Sequence, residues 1–159
     1  MIRERRPVTI LLVEDDDGHA RLLENHLRRG GLINHLIRVA DGQEAVDYVS
    51  RNGSYTDAAR YPLPSVVLLD VCMPRLDGFE VLAHLKNDPH LMKIPVIMLT
   101  STDDPLEIDR AYGIGASGYV VKPVNVQSFI DRVLRLGMFI EVIELPDPHD
   151  RGHQAAVNE

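Results

Sequence analysis

The strongest constraint in this 159-residue chain is an alternation of two segment types. Short runs rich in Val, Ile and Leu stand at Val8–Val13, Ile33–Val39, Val66–Leu69, Val96–Leu99 and Tyr119–Val121. They are nearly continuous in apolar residues, as strands covered on both faces are. Between them, apolar residues recur every three or four positions, as along one face of a helix. The first helical segment follows Asp16-Asp17, repeats Ala20, Leu23 and Leu27, and meets Gly30-Gly31. The second starts near Asp41, turns Ala45, Val46 and Val49 inward, and is predicted to stop at Asn52-Gly53. The third opens on Asp77 with Glu80 at capping-box spacing, and Asp88-Pro89 ends it. The fourth sets Asp104 before Pro105, an imino acid suited to the first helical position, and runs toward Gly113–Gly115. The fifth follows Val124-Asn125 and carries Phe129, Ile130, Val133, Leu134 and Leu136. Strand then helix, five times over, predicts an α/β fold: a doubly wound parallel sheet with helices on both faces.

Two segments stand outside this rhythm. Ser54–Pro64 is longer than a usual helix-to-strand connection and reads as an exposed insertion. Beyond Gly137 comes an apolar arm, Met138, Phe139, Ile140, Val142, Ile143 and Leu145, which fades into a polar end. The expected division is therefore residues 1–137 as one domain and 138–159 as arm and disordered tail. The arm is too apolar to leave in water. It either folds back on its own domain or packs, with the fifth helix, on a second copy to make a homodimer. The residues after the domain are too few for an output domain, so signalling through a changed binding surface, without an enzymatic activity, is expected.

The chain's charge of -7 argues against nucleic acid as partner, because a nucleic-acid binder usually shows a basic face. No apolar run reaches the length of a membrane span, and the N-terminus lacks the pattern of a signal peptide. Cys72 is the single cysteine, which fits a reducing cytoplasm.

Ligands of an open doubly wound sheet bind outside the carboxyl ends of its strands. The residues ending the apolar runs are Glu14-Asp15-Asp16, then Asp70, then Thr100-Ser101, then Lys122-Pro123. Read singly, Asp70 is a turn residue, Thr100 caps the fourth helix, Lys122 is surface charge and Tyr119 is packing. Together they put several acids, a hydroxyl and an ammonium in one pocket. Carboxylates that close repel unless a cation joins them, and a hard divalent ion such as Mg²⁺ with oxygen ligands resolves the conflict. Mg²⁺ held by one or two carboxylates commonly serves a phosphate-handling site.

In their order and spacing, LLVEDD, LLDVCMPRLDG, LTST and GYVVKP resemble the receiver domain of two-component response regulators, from about Val8 to Gly137. The resemblance implies a flavodoxin-like (βα)5 sheet of strand order 2-1-3-4-5. It implies that Asp70 accepts a phosphoryl group from the phosphohistidine of a histidine kinase. Asp15 would coordinate Mg²⁺, Glu14 would act nearby, and Cys72 would offer its backbone carbonyl. Thr100 would hydrogen-bond the phosphoryl group, Lys122 would pair with it, and Pro123 would help to aim that lysine. Tyr119 would be the switch aromatic, turning inward as Thr100 moves. The insertion and the apolar arm are similar to those of stand-alone receivers paired with phytochrome kinases, which makes a bacteriophytochrome the expected kinase. The chain departs from the pattern in Glu14, where Asp is commoner, and in Cys72, where Asn is frequent. An Mg²⁺-dependent phosphatase of the haloacid dehalogenase type also uses a strand-end Asp. It needs a second acid two residues on as general acid, where this chain has Cys72.

Overall fold

The computed structural model describes residues 9–29 and 35–122. In chain order the elements are β1 (Thr9–Val13), α1 (Asp17–Arg29), β2 (His35–Val39), α2 (Gly42–Val49), a 3₁₀ turn (Gly53–Tyr55), β3 (Val66–Asp70), α3 (Gly78–Asn87), β4 (Val96–Thr100), α4 (Pro105–Ile114) and β5 (Gly118–Val121). The strands form one sheet in the order β2-β1-β3-β4-β5, parallel at every pairing. Val13 lies beside Leu69, Asp70 beside Leu99 and Thr100 beside Val121, so the carboxyl ends of the inner strands finish together.

Because strand side chains alternate between faces, the continuous apolar runs supply two cores. Ile10, Leu12, Val66, Leu68, Ile97, Leu99 and Val120 bury against Ala20, Leu23 and Leu27 of α1. Leu11, Val13, Val67, Leu69, Met98 and Tyr119 bury on the opposite face, against α2, α3 and α4. Most of these strand residues are almost wholly withdrawn from water. At about 25 cal/mol per Å² of apolar surface, this burial is the main force holding the sheet together.

Helix starts follow the sequence closely. Asp16 accepts from the His19 amide at 2.8 Å ahead of α1, and Asp41 from the Glu44 amide at 2.8 Å ahead of α2. Asp77 and Glu80 complete the capping box of α3, and Asp104 caps α4 through the Leu106 amide. α2, however, stops at Val49, before the predicted Asn52-Gly53. The Arg51 amide reaches the Tyr48 carbonyl and the Asn52 amide the Asp47 carbonyl, a Schellman closure. Its left-handed position is held by Arg51 at φ 57°, where glycine would be the easier residue.

The insertion is also more ordered than the exposed loop expected. The rings of Tyr48, Tyr55 and Tyr61 meet with centroids 5.0–6.0 Å apart, within the range of favourable edge and tilted packing. Tyr48 donates its hydroxyl to the Pro62 carbonyl at 2.7 Å, and Tyr55 donates to Glu44 at 2.6 Å. Burial pushes the Tyr48 hydroxyl up to about 12; burial and the Glu44 carboxylate raise that of Tyr55. The loop's tip is exposed, but its base is part of the core around α2. Val8, Gly30-Gly31, Ile33, Pro123, the fifth helix, the boundary at Gly137 and the apolar arm lie outside the described residues.

Candidate functional site

β1 and β3 are adjacent; Glu14 directly follows β1, and β3 ends on Asp70. Glu14 and Asp70 are buried at 1% and 5% exposure, while Asp15 is exposed. The three carboxylates offer oxygens that all lie within 4.8 Å of one another. Lys122, at the end of β5, crosses to them. Its Nζ stands 2.6 Å from Glu14 Oε2 and 3.0 Å from Asp70 Oδ2. Lys122 is therefore the internal cation of the acid cluster and not a surface charge.

One ammonium does not balance three carboxylates. Burial, and the facing Asp70, push the Glu14 carboxyl above its ordinary range, although the hydrogen bond from Lys122 pulls it back. Burial opposes the charge of Lys122 as well, but its bonds to Glu14 and Asp70 prevail and raise its pKa. Such a cluster of hard oxygen donors with charge left over fits a divalent ion of the Mg²⁺ type.

Three features fix the end of β3. The Cys72 amide donates to Asp70 Oδ1 at 3.3 Å, and the Val71 amide to the Leu99 carbonyl at 2.9 Å. Gly78 packs so closely on the backbone of Asp70 and Val71 that a Cβ there would collide with both. Met73-Pro74 then turn the chain away, with Arg75 at φ 67°. An open cavity of about 620 Å³ remains beside the acids, lined by Asp15, Cys72, Met73, Phe79, Glu107 and Arg110 among others. It leaves room for an incoming group beside Asp15 and Cys72.

Thr100 is buried at the end of β4 and does not cap α4, since Asp104 does that. Its hydroxyl donates to Glu107 Oε2 at 3.3 Å and accepts from the Thr102 amide at 3.2 Å. Tyr119 is buried and donates its hydroxyl to the Thr102 carbonyl, which places it inward in this state. Cys72 has an exposed thiol that partial burial, then Asp70 and Glu107, push above the usual range. The shift disfavours the thiolate form of this side chain.

The structure thus brings together Glu14, Asp15, Asp70, Cys72 and Lys122, with Thr100 and Tyr119 on the neighbouring strands. Several participants escape sequence reasoning. Arg38 donates to the Glu14 carbonyl at 3.0 and 2.8 Å and pairs with Asp17 at 2.6 Å, clamping the acidic turn. A charged residue within the apolar run of β2 was its one signal. Arg110 stacks on Phe79 with its guanidinium 4.1 Å from the ring centroid, and Glu107 holds Thr100; neither announces itself in the sequence.

A family model described as the response regulator receiver domain matches residues 10–134. Response regulator Rcp1 of Synechocystis sp. is 33% identical over 141 residues, 88% of this chain and 94% of that protein. The bacteriophytochrome response regulator RtBRR aligns in structure with a TM-score of 0.78 at 38% identity, covering 90% of this chain and 86% of that one. A Mn(2+)-bound form of Rcp1 aligns with a TM-score of 0.69 at 32% identity, covering 89% and 100% of the two chains.

Proposed function

The chain belongs to the response regulator receiver family of two-component phosphorelay signalling, and from that premise we propose that Asp70 is its phosphoryl acceptor. One observation carries the proposal: the Asp70 carboxylate ends the central strand, paired with Lys122 at 3.0 Å and clustered with Glu14 and Asp15. A carboxylate is a competent nucleophile toward phosphorus once charge is neutralised and attack is in line. Phosphoryl transfer asks a protein for little beyond that positioning and electrostatic stabilisation.

The donor is a phosphohistidine of a partner kinase. An Asp70 oxygen forms a bond to phosphorus while the phosphorus–nitrogen bond to the imidazole breaks, and the electron pair leaves with that nitrogen. Lys122 faces the charge gathering on the phosphoryl oxygens, and Thr100 supplies a hydrogen-bond donor to one of them. Glu14, Asp15 and Asp70, with the Cys72 carbonyl, would hold Mg²⁺, which adds positive charge against the phosphoryl oxygens. Tyr119 follows Thr100 as the switch aromatic, so modification of Asp70 alters the surface of the domain.

Bacteriophytochrome and phytochrome regulators among the relatives support a kinase of that class as donor; a cytoplasmic setting belongs to the same reading. Among the described residues no helix is long and apolar enough to cross a membrane. Output is by protein–protein binding, including a homodimer formed through the fifth helix and the apolar arm; truncation after Gly137 with light scattering tests that dimer. The phosphatase alternative finds no support, for residues 10–134 match the receiver family and Cys72 occupies the general-acid position. The acceptor is tested by incubating the protein with Mg²⁺ and phosphoramidate and weighing it by intact mass spectrometry. Wild type gains one phosphoryl group and Asp70→Asn gains none; equal gain by both defeats the assignment.

A further inference from the structure

We propose that Glu107 is a positioning residue for phosphoryl transfer: it holds the Thr100 hydroxyl in the unmodified protein and must release it before Thr100 serves the phosphoryl group. The inference rests on the reading of Asp70 and Thr100 given above and adds to it the group that competes for Thr100.

Proton count decides the direction of each bond at Thr100. A threonine hydroxyl has a single hydrogen to donate and two lone pairs to accept with. Thr100 accepts from the Thr102 amide at 3.2 Å and donates to Glu107 Oε2 at 3.3 Å. A carboxylate offers no proton, so the direction of the second bond is fixed. The Tyr119 hydroxyl also neighbours Thr100, but the hydrogen that Glu107 receives reaches a phosphoryl oxygen on Asp70 only when the Thr100–Glu107 bond breaks. Glu107 stands in the first turn of α4, three residues after the Asp104 cap, so the contact ties α4 to the end of β4. It also lines the cavity beside Asp15 and Cys72, where an arriving phosphoryl group would meet its negative charge. Repulsion from the phosphoryl group and loss of its hydroxyl partner act on Glu107 in the same direction. Both move the first turn of α4 away from the acid cluster as Thr100 turns toward it. Tyr119, bonded to the Thr102 carbonyl in the same loop, is carried along.

A bond from a hydroxyl to a charged group contributes more than a neutral one. Here it is long, at 3.3 Å, and only part-buried, which reduces its worth. Removing it should raise the rate of phosphorylation by phosphoramidate about fivefold. Hydrolysis starts from the state in which Thr100 has already left Glu107, so its rate should change less than about twofold.

The test measures both rates by intact mass spectrometry for wild type, Glu107→Ala and Glu107→Gln, each alone and with Thr100→Ala, after thermal melts confirm folding. Expected is acceleration in the order Ala, then Gln, then wild type, because Gln keeps an acceptor oxygen without the charge. In the Thr100→Ala background, replacing Glu107 should accelerate phosphorylation clearly less than in wild type, since the part that acts through the Thr100 bond is gone and only charge repulsion is left. An acceleration as large as in the wild-type background would show a role confined to the helix dipole or to repulsion and would overturn the inference. Unchanged phosphorylation in both single variants overturns it too. If wild type itself takes no phosphoryl group, the reading of Asp70 fails, which is a separate result.

Discussion

Replacing Lys122 by methionine keeps the unbranched side chain as far as Cε and removes the ammonium with its charge. In the structure this ammonium lies 2.6 Å from Glu14 Oε2 and 3.0 Å from Asp70 Oδ2, and the Glu14 side chain is 1% exposed. Removing one partner of a buried ion pair costs about 3–5 kcal/mol, because a charge is left behind without compensation. Lys122 keeps 17% of its side-chain exposure, so the lower end applies, about 3 kcal/mol at pH 7 without Mg²⁺. For a domain of this size that is a fall in Tm of roughly 6–12 °C. The pH dependence follows from the carboxyls. Glu14 is already raised by burial and by Asp70, and loss of Lys122 raises it further. A carboxyl with its folded pKa above the unfolded value binds more protons when folded, so stability falls as pH rises between the two values. The variant's deficit should therefore shrink as pH is lowered from 8 toward 5. Lys122 itself, raised in the folded wild type, contributes fully below its unfolded pKa of about 10.4 and fades only as pH climbs through the folded value. Urea melts of both proteins with a chelator at four pH values between 5 and 8 give the comparison. A variant as stable as wild type at pH 7, or a deficit that grows on acidification, refutes the reasoning.

Three further outcomes are open to measurement. Mg²⁺ at ten times its Kd should stabilise the wild type by about 1.4 kcal/mol in thermal melts, and Asp15→Asn, at an exposed position, should lose most of that shift. Burial works against the charge of Asp41, but the Glu44 amide and the Arg75 guanidinium, 2.5 Å away, hold its carboxyl below the ordinary range. Its contribution is present above the unfolded pKa of about 3.9 and lost as pH falls through the lower folded value. Asp41→Ala should thus cost about 1–2 kcal/mol at pH 7 in denaturant melts, narrowing below pH 4. Gly78→Ala puts a Cβ against the Asp70 carbonyl and Val71 Cα. It should destabilise by about 1–3 kcal/mol and slow phosphorylation by about tenfold, as mass spectrometry would record.

The sheet was legible because its signals are local. A short apolar run with β-branched residues, such as Val66–Leu69, reads as a covered strand, and Asp77 with Glu80 states its own cap. The acids and Lys122 were legible because strand ends in a parallel sheet converge whatever the side chains between them. What escaped depends on partners far apart in sequence. Arg75 meets Asp41 across 34 positions, and Arg38 meets Glu14 across 24, each pairing decided by how loops settle on the sheet. The insertion misled for the same reason. Tyr55 and Tyr61 look like solvated loop residues until Tyr48, on α2, is placed beneath them. The end of α2 misled differently, since Arg51 adopts the backbone conformation that sequence reading reserves for Gly53.

The most direct measurement traps the modified residue. Wild type treated with Mg²⁺ and phosphoramidate is reduced with borohydride, which converts an aspartyl phosphate to homoserine, and its peptides are sequenced by tandem mass spectrometry. Homoserine at position 70 alone is the result this account predicts. Reduction at Asp15 or another carboxylate, or at none while the phosphoryl group is present, contradicts it.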